Sequence, residues 1–424
     1  NYVKAQYSLG YMHLLGNVIP KDLVEAQKWL ILAAENDDPQ SQHFLALTYM
    51  YKQYGPKIDI IKALKFLTQA AENGYNDSQY MLGQIYENGI NVPVDYEKAG
   101  MWYRKSADQE DAGAMLGLAR LYMGGKGVPK DFAIAIEHAS NSANLGNPDA
   151  FEAIALVFEA KDTPLYDLAK TYYWLNLAYL KGNDVQSKFA KIDGLLTIEQ
   201  KAEAQYHIAR TLHHGQYTFE QDRAAATQWY YKAATNGHLQ AHINIALHTG
   251  QGIGVPKSEA GAIEWYLKAA QKGLPQAQYM MALANFDGIG TEKDPQKGIE
   301  WLTLAAQNDY PDAQFALGKR YKNGDNVERD YTKAFQWLNK ASNGGDIKST
   351  FELAELYLEG NGVERSTDTG IKLFTQAADK GNLEAASYLG WIYMGNVSGV
   401  DKNMEKAVAW YSQSAEKGQG NSLL

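Results

Sequence analysis

Six of the nine histidines in the chain fall in one window: His207, His213, His214, His238, His242 and His248. Two histidines four residues apart on one helix face can share a metal ion, and His238 and His242 have that spacing. The spacing counts only within a continuous helix, however, and His238 falls where a turn between helices is expected. Neither an HExxH nor a Glu-x-x-His motif accompanies the pair. His213 and His214 sit where a helix C-terminus favours cations, so surface and capping roles account for the cluster and no metal site is assigned. Carboxylate pairs such as Glu87 with Asp95, or Glu355 with Glu359, could serve acid–base chemistry only by converging on one pocket with separated pKa values. The sequence gives no sign of that, and charge on helix surfaces explains them. The glycine-rich stretches GQGIGVPKS (Gly250–Ser258) and GGKGVPK (Gly124–Lys130) lack the Gly-Lys-Ser/Thr ending of a phosphate-binding loop. No Gly-x-Ser-x-Gly elbow occurs. The chain has no cysteine, which excludes a disulfide scaffold, a thiolate metal site and a cysteine nucleophile. No catalytic residue is assigned, no cofactor is expected, and an enzyme is not the favoured reading.

Charge and hydropathy narrow the partners. With 49 acidic and 40 basic side chains the formal net charge is −9, which argues against nucleic acid, whose phosphates need clustered Lys and Arg. No stretch approaches the ~18 consecutive apolar residues of a membrane span. Asn1 opens inside a repeat with no initiator Met, so the sequence reads as part of a longer protein, and the absence of a signal segment says nothing about its compartment.

The elements behind these residues are copies of one module. In 313–346, AQFALGKRYKNGDNVERDYTKAFQWLNKASNGGD, apolar and small residues return every three or four positions in two runs. That periodicity marks two short amphipathic helices, separated by a Gly that stops the first and an Asp that starts the second. Equivalent copies start at Ala5, Ser41, Ser78, Ala114, Ala150, Ala204, Ala241, Ala277, Ala313, Ser349 and Ala385, eleven repeats in all. The steps are 36 or 37 residues except the 54 from Ala150 to Ala204.

Several registers have a direct physical meaning. The sixth residue is always Gly or Ala (Gly10, Ala46, Gly83 and Gly318, for example), which lets the second helix approach the first closely. An aromatic usually follows at the ninth position, although the sixth to eighth repeats carry Leu212, Thr249 and Asn285 there. Gly16, Gly89, Gly125, Gly215, Gly252, Gly288, Gly324 and Gly360 suit the left-handed turn that ends a helix. The expected N-caps of the second helices are Asp22, Asp59, Asp95, Asp131, Asp167, Asp222, Ser258, Asp294, Asp330, Ser366 and Asn403, all side chains able to accept from exposed backbone N–H groups. Trp29, Trp102, Trp174, Trp229, Trp265, Trp301, Trp337 and Trp410 fall inside the second helices and are expected to anchor the stack, with small pairs such as Ala269–Ala270 following them.

Motifs such as SQYMLGQIYENG (Ser78–Gly89) and GAIEWYLKAAQKG (Gly261–Gly273) closely resemble the Sel-one-like repeats, relatives of the tetratricopeptide repeat with a longer period. The resemblance runs from Ala5 to Gly418. It implies an all-α fold, a right-handed superhelical α-solenoid of about eleven antiparallel helix pairs. The residues agree, because a helix pair cannot bury its apolar stripe alone and copies must stack into a continuous core.

One segment breaks the rhythm, Asn183–Leu196, which reads as an extra helical turn or short helix. Thr197 and Gln200 then form a plausible capping box for a lengthened helix. The expected organisation is a five-repeat array over 1–182, an insertion or seam over 183–203 and a six-repeat array over 204–424. Two fused arrays and one long array with a tolerated insertion both remain open.

By the resemblance, the first helix of each repeat lines a concave face, with the third and seventh residues pointing into it. That selects Tyr7, His43, Tyr80, Tyr206, Tyr279, Phe315 and Phe351 at the third position. At the seventh it selects Tyr11, Arg120, Arg210, Lys319 and Trp391. Tyr, Trp and Arg carry much interface energy, so these twelve are the expected partner-binding residues. The competing reading is that the third-position aromatics half-bury between neighbouring first helices and stiffen the stack. The resemblance implies a non-catalytic scaffold or adaptor holding a protein or peptide, bacterial, linked to the cell envelope or host contact, with a periplasmic or secreted setting favoured and a monomer expected. The alternative is a hydrolase-like or glycan-binding protein acting on cell-wall or antibiotic ligands. Relatives credited with antibiotic hydrolysis are rich in the cysteines that this chain lacks.

Overall fold

The architecture is set by how each helix pair is stopped and restarted. In the computed structural model, which describes residues 2–421, eleven pairs follow one another. They are α1 (Tyr2–Leu15) and α2 (Leu23–Ala34); α3 (Pro39–Met50) and α4 (Ile60–Glu72); α5 (Asn76–Asn88) and α6 (Tyr96–Ala107); α7 (Ala112–Gly124) and α8 (Phe132–Asn144); and α9 (Asp149–Glu159) and α10 (Leu168–Leu180). A lone helix, α11 (Gln186–Asp193), intervenes before α12 (Ile198–His214) and α13 (Arg223–Thr235). The remaining pairs are α14 (Leu239–Gln251) and α15 (Glu259–Gln271); α16 (Pro275–Asp287) and α17 (Pro295–Gln307); α18 (Pro311–Asn323) and α19 (Tyr331–Asn343); α20 (Ile347–Glu359) and α21 (Thr367–Asp379); and α22 (Leu383–Trp391) and α23 (Met404–Asn421). A π-helical segment, Ile392–Asn396, extends α22. Among the described residues there is no strand, and the fold is an all-α solenoid of stacked helix pairs.

The turn inside each pair is built as the residue types require. All eight glycines expected to end a first helix have positive φ, from 61° at Gly125 to 83° at Gly324. Each expected N-cap side chain accepts from the backbone of the following turn, as Asp330 does from Lys333 N at 2.9 Å and Asn403 from Lys406 N at 2.9 Å. The same residue also donates its own backbone N–H to the last turn of the first helix: Asp95 to Tyr86 O, Asp131 to Tyr122 O, Asp330 to Tyr321 O and Ser366 to Tyr357 O, each at 2.9–3.0 Å. Because this clasp uses only backbone atoms, it persists where the aromatic is replaced, from Asp222 to Leu212 O, Ser258 to Thr249 O and Asp294 to Asn285 O.

The ninth-position aromatic has its own partner. Lys62 stands over Tyr49, Lys98 over Tyr86, Lys170 over Phe158 and Lys333 over Tyr321, at 5.1–5.3 Å from each ring centre. Each of those lysines lies three residues after the capping Asp. In the sixth and seventh repeats the corresponding positions are Ala225 and Gly261, so ring and cation are missing together.

Packing within a pair corrects the tryptophan register by one residue. The fully buried anchor is the residue after Trp: Leu30, Tyr103, Leu302 and Leu338 are at most 1% exposed. It sits against the small sixth position, where a Cβ on Gly318 would lie 2.7 Å from Leu338 Cγ and one on Gly83 2.4 Å from the Tyr103 ring. Trp301 and Trp337 are only partly buried, packed on the edges of apolar clusters. Trp102 and Trp174 are buried.

Successive repeats are joined by a buried glutamine at the second position. Gln42, Gln79, Gln278 and Gln314 donate from Nε2 to Ala34 O, Ala71 O, Ala270 O and Ala306 O at 2.9–3.3 Å, satisfying the carbonyl end of the preceding second helix. Three of the same glutamines accept in turn from their own repeat's second turn, from Asn73, Gln109 and Asn308. Buried polar groups must be paired, and this relay pairs both ends of the amide.

The chain divides into two compact units, Asn1–Asn236 and Gly237–Leu424. The inserted α11 lies within the first. The capping box at Thr197 and Gln200 is formed, in both directions, at the start of the lengthened α12.

Candidate functional site

The first helices carry the candidate site, and their two relevant registers behave differently. The third position points at neighbouring helices. His43 is 5% exposed and its Nδ1 lies 2.8 Å from Ser78 Oγ of the next repeat. Phe351, 8% exposed, packs edge-on to Phe374 at 5.3 Å and against Tyr388. These two were expected to face the groove; the structure buries them as spacers instead. Tyr7, Tyr80, Tyr206, Tyr279 and Phe315 are partly buried. Tyr7 stacks on Tyr11 and meets Phe44 at a tilt, and Tyr80, Tyr206 and Tyr279 make tilted ring contacts with Tyr103, Tyr230 and Tyr310. Gly113 of the following repeat closes on the Tyr80 ring, where a Cβ would come within 2.7 Å of Cζ.

The seventh position points outward. Arg120, Arg210 and Trp391 are exposed, Trp391 by 41%, and Tyr11 is partly exposed. Lys319 shares this register, but its ammonium is held by Glu352 at 2.9 Å. Glu352, from α20, also takes Lys322 of α18 at 2.7 Å, and Lys322 reaches Glu355 as well. Burial works to raise the Glu352 carboxyl pKa, yet the bonds from Lys322 and Lys319 outweigh it and leave the value below the usual range. For Glu355 burial wins over the Lys322 bonds, and its pKa is raised. Four groups from two repeats, Lys319, Lys322, Glu352 and Glu355, thus neutralise one another on the first-helix face.

At the insertion the first-helix face is covered. Lys188 and Lys191 of α11 pair with Glu152 and Glu159 of α9, and Phe189 meets Tyr172 edge-on at 5.1 Å. Glu152 holds the third position of its repeat, so the position that would line a groove there is occupied by the chain's own helix.

The histidines are engaged structurally. His238 is the N-cap of α14, its Nδ1 accepting from Ala241 N at 3.1 Å, and His242 Nδ1 lies 2.9 Å from the His238 carbonyl. His207 pairs with Glu203 at 3.0 Å. Among the described residues no group of three or more His, Asp or Glu side chains is placed to hold a metal ion, and no helix is long and apolar enough to cross a membrane.

The repeat register, helix caps and clasp described above are those of a known family. The Sel1 repeat model matches ten segments: residues 3–38, 39–75, 76–111, 112–147, 202–238, 239–274, 275–310, 311–346, 347–382 and 383–419. The chain belongs to the Sel1 repeat family. The matched segments step over 148–201, which hold α9, α10 and α11. Sel1 repeat proteins are generally non-catalytic scaffolds, and their repeats mediate protein interactions. An uncharacterized protein of Neisseria meningitidis serogroup B, NMB1327, is 26% identical over 275 residues, 54% of this chain and 58% of that protein. The match thus spans little more than half the length of that relative. Among solved structures, c5321, a protective antigen of uropathogenic Escherichia coli with an SLR fold, aligns with 100% of this chain and 88% of its own at 26% identity and a TM-score of 0.48. A Sel1 repeat protein from Oxalobacter formigenes aligns with 58% of this chain and 96% of its own at 28% identity and a TM-score of 0.45.

Two features of the site escaped the sequence. The glutamine relay was signalled by Gln recurring at the second position. The residue after Trp was signalled by its own run of Leu and Tyr, which the more conspicuous Trp overshadowed.

Proposed function

We propose that this Sel1 repeat protein is a non-catalytic scaffold that holds a partner protein or peptide on its first-helix face. The observation that carries the reading is the outward seventh register, which presents Arg120, Arg210, Trp391 and part of Tyr11 on the first helices. The third-position rings beneath it hold successive repeats in fixed register, so the outward groups ride on a rigid support. Exposed aromatic and Arg groups on such a support are the side chains from which interface hot spots are drawn. A bacterial setting linked to the cell envelope or host contact is the context in which we place it, in line with the bacterial relatives and the protective-antigen description of c5321.

The test compares partner capture by the native protein with capture by Arg120→Glu, Tyr11→Ala and Trp391→Ala, each checked for an unchanged melting temperature. Loss of a partner at one or more of these positions, with the partner kept by a substitution on an exposed second-helix residue such as Lys232→Glu, supports the reading. Equal capture by all variants removes it.

A further inference from the structure

A cleft of about 550 Å³ opens between α10, α12 and the turn that follows α12. Its apolar wall is made of Tyr173, Trp174 and Tyr217, with Phe158 at one edge. This wall is built rather than incidental. Tyr217 and Thr218 are consecutive non-glycine residues with positive φ, 52° and 61°, a conformation that costs energy and needs surrounding support. Lys181 provides it, donating to Thr218 O at 3.0 Å and to Oγ1 at 3.1 Å while standing 4.2 Å over the Phe219 ring. Tyr217 is thereby set edge-on to Trp174 at 5.2 Å. Tyr173 is fixed from the other side by its hydroxyl, 2.8 Å from Thr211 Oγ1.

The charges lining the cleft, Asp167 and Glu203 against Lys170 and Arg210, sum to zero, but not all of them are paired. Asp167 pairs with Lys170 at 3.6 Å and Glu203 with His207 at 3.0 Å. Arg210 lines the same cleft, is exposed, and makes no ion pair among the described residues. A guanidinium without an ion pair, in a cleft that three aromatic rings also line, matches a ligand with a carboxylate and an apolar group. Asp and Glu side chains have the carboxylate but no apolar group beyond it. The last residue of a polypeptide has both, because its α-carboxylate sits one bond from the carbon that bears its side chain. A pocket of this size fits one such residue and part of the next, and Gln216 also lines it.

We propose that the cleft takes the free C-terminus of a peptide ending in an aromatic residue, its ring against Tyr173, Trp174 and Tyr217 and its carboxylate on Arg210. The inference rests on the scaffold reading above and adds to it one class of partner and one subsite.

Isothermal titration of the whole chain tests it with three probes: a hexapeptide ending in Phe, the same peptide with an amidated C-terminus, and N-acetylphenylalanine. The free-acid peptide is expected to bind saturably and the amide about tenfold or more weakly, since a charge-assisted bond is lost. Arg210→Gln should weaken the free-acid peptide by about the same factor, while Arg104→Gln, on an exposed residue of α6, leaves it unchanged. Arg210 is on the surface, so an unaltered melting temperature separates lost binding from lost fold. No saturable binding, equal binding of the amide, or an Arg210→Gln variant that binds like the native chain would overturn the proposal. So would N-acetylphenylalanine binding as tightly as the peptide, which would make the cleft a site for small aromatic acids. Capture at Tyr11, Arg120 and Trp391, all outside the cleft, tests the scaffold reading independently.

Discussion

Arg210 and Lys319 hold the same seventh position of two repeats and meet different surroundings. Around Lys319 the spacing is 36 residues, α20 follows directly on the pair containing α18, and Glu352 arrives beside Lys319 and Lys322. Around Arg210 the preceding spacing is 54 residues. Glu152 and Glu159 of α9 pair with Lys188 and Lys191 of α11, and α12 lies against α10. Register decides which way a side chain leaves its helix, but the residue types of the following repeat decide what it can meet: the fourth position is Glu352 after Lys319 and Asn244 after Arg210. Near Lys319 the charges of successive first helices pair with one another, whereas Arg210, like Arg120 in the regular stretch, makes no ion pair among the described residues.

The comparison can be broken most directly in the regular stretch. Leu338→Ala should cost about 3 kcal/mol, within the range for a fully buried Leu, read as a lowered denaturation midpoint. Trp337→Ala should cost roughly half as much because the ring is only partly buried. If Trp337 proves the more costly of the two, the one-residue correction to the register is wrong.

Lys322→Met comes next. It leaves Glu352 with Lys319 alone and Glu355 with no cation, at a cost of about 2 kcal/mol at pH 7. The sign of its pH dependence follows from Glu355. That carboxyl already has a raised pKa in the folded protein, chiefly through burial, and losing Lys322 raises it further. A raised folded pKa means full stability below the unfolded value of 4.5 and a loss as pH climbs through the folded one. The penalty of the substitution should therefore shrink below pH 4.5, and thermal melts across pH 4–7 check it.

At the interrupted stretch, charge reversal of Lys188 and Lys191 together should change global stability by no more than about 1 kcal/mol, because the pairs are partly exposed. Amide exchange over 186–193 should nevertheless accelerate, since α11 would lose its hold on α9. Unchanged exchange would mean that Val185, Ile192 and Leu196, all buried, hold the helix without its charges.

The smallest effect at neutral pH is expected for Asp330→Asn, which keeps a capping side chain. Backbone N–H groups, Lys333 first, hold the Asp330 carboxyl below its ordinary 3.8. A depressed folded pKa supplies stability above 3.8 that is lost as pH falls through the folded value. The Asn variant should lose less than the native chain between pH 4 and pH 2. An identical acid profile would show that this cap does not contribute to acid unfolding.

Much of the fold was legible because it is local. Caps at Asp330 or Ser366, the turn at Gly324 and the box at Thr197 each depend on residues within one helical turn, and periodicity repeats the information eleven times. What lay hidden depends on neighbours distant in sequence. Whether Phe351 faces solvent or Tyr388 turns on how closely α20 and α22 approach, and whether Lys319 is available turns on where Glu352 lands. The cleft at Arg210 could not be read either, because its wall depends on the unusual backbone at Tyr217 and Thr218 and on Lys181, more than thirty residues earlier, that holds it.

The glutamine relay has an evolutionary corollary. At Gln278 and Gln314 the junction consists of one side chain meeting an alanine carbonyl behind it, so adjacent copies present interchangeable ends. Unequal crossover between those copies would yield a gene encoding one module fewer or one more, with the joint chemistry intact on either side. Array length is therefore free to drift by whole modules, while the stretch around α11, whose contacts have no counterpart elsewhere, is inherited only as a block.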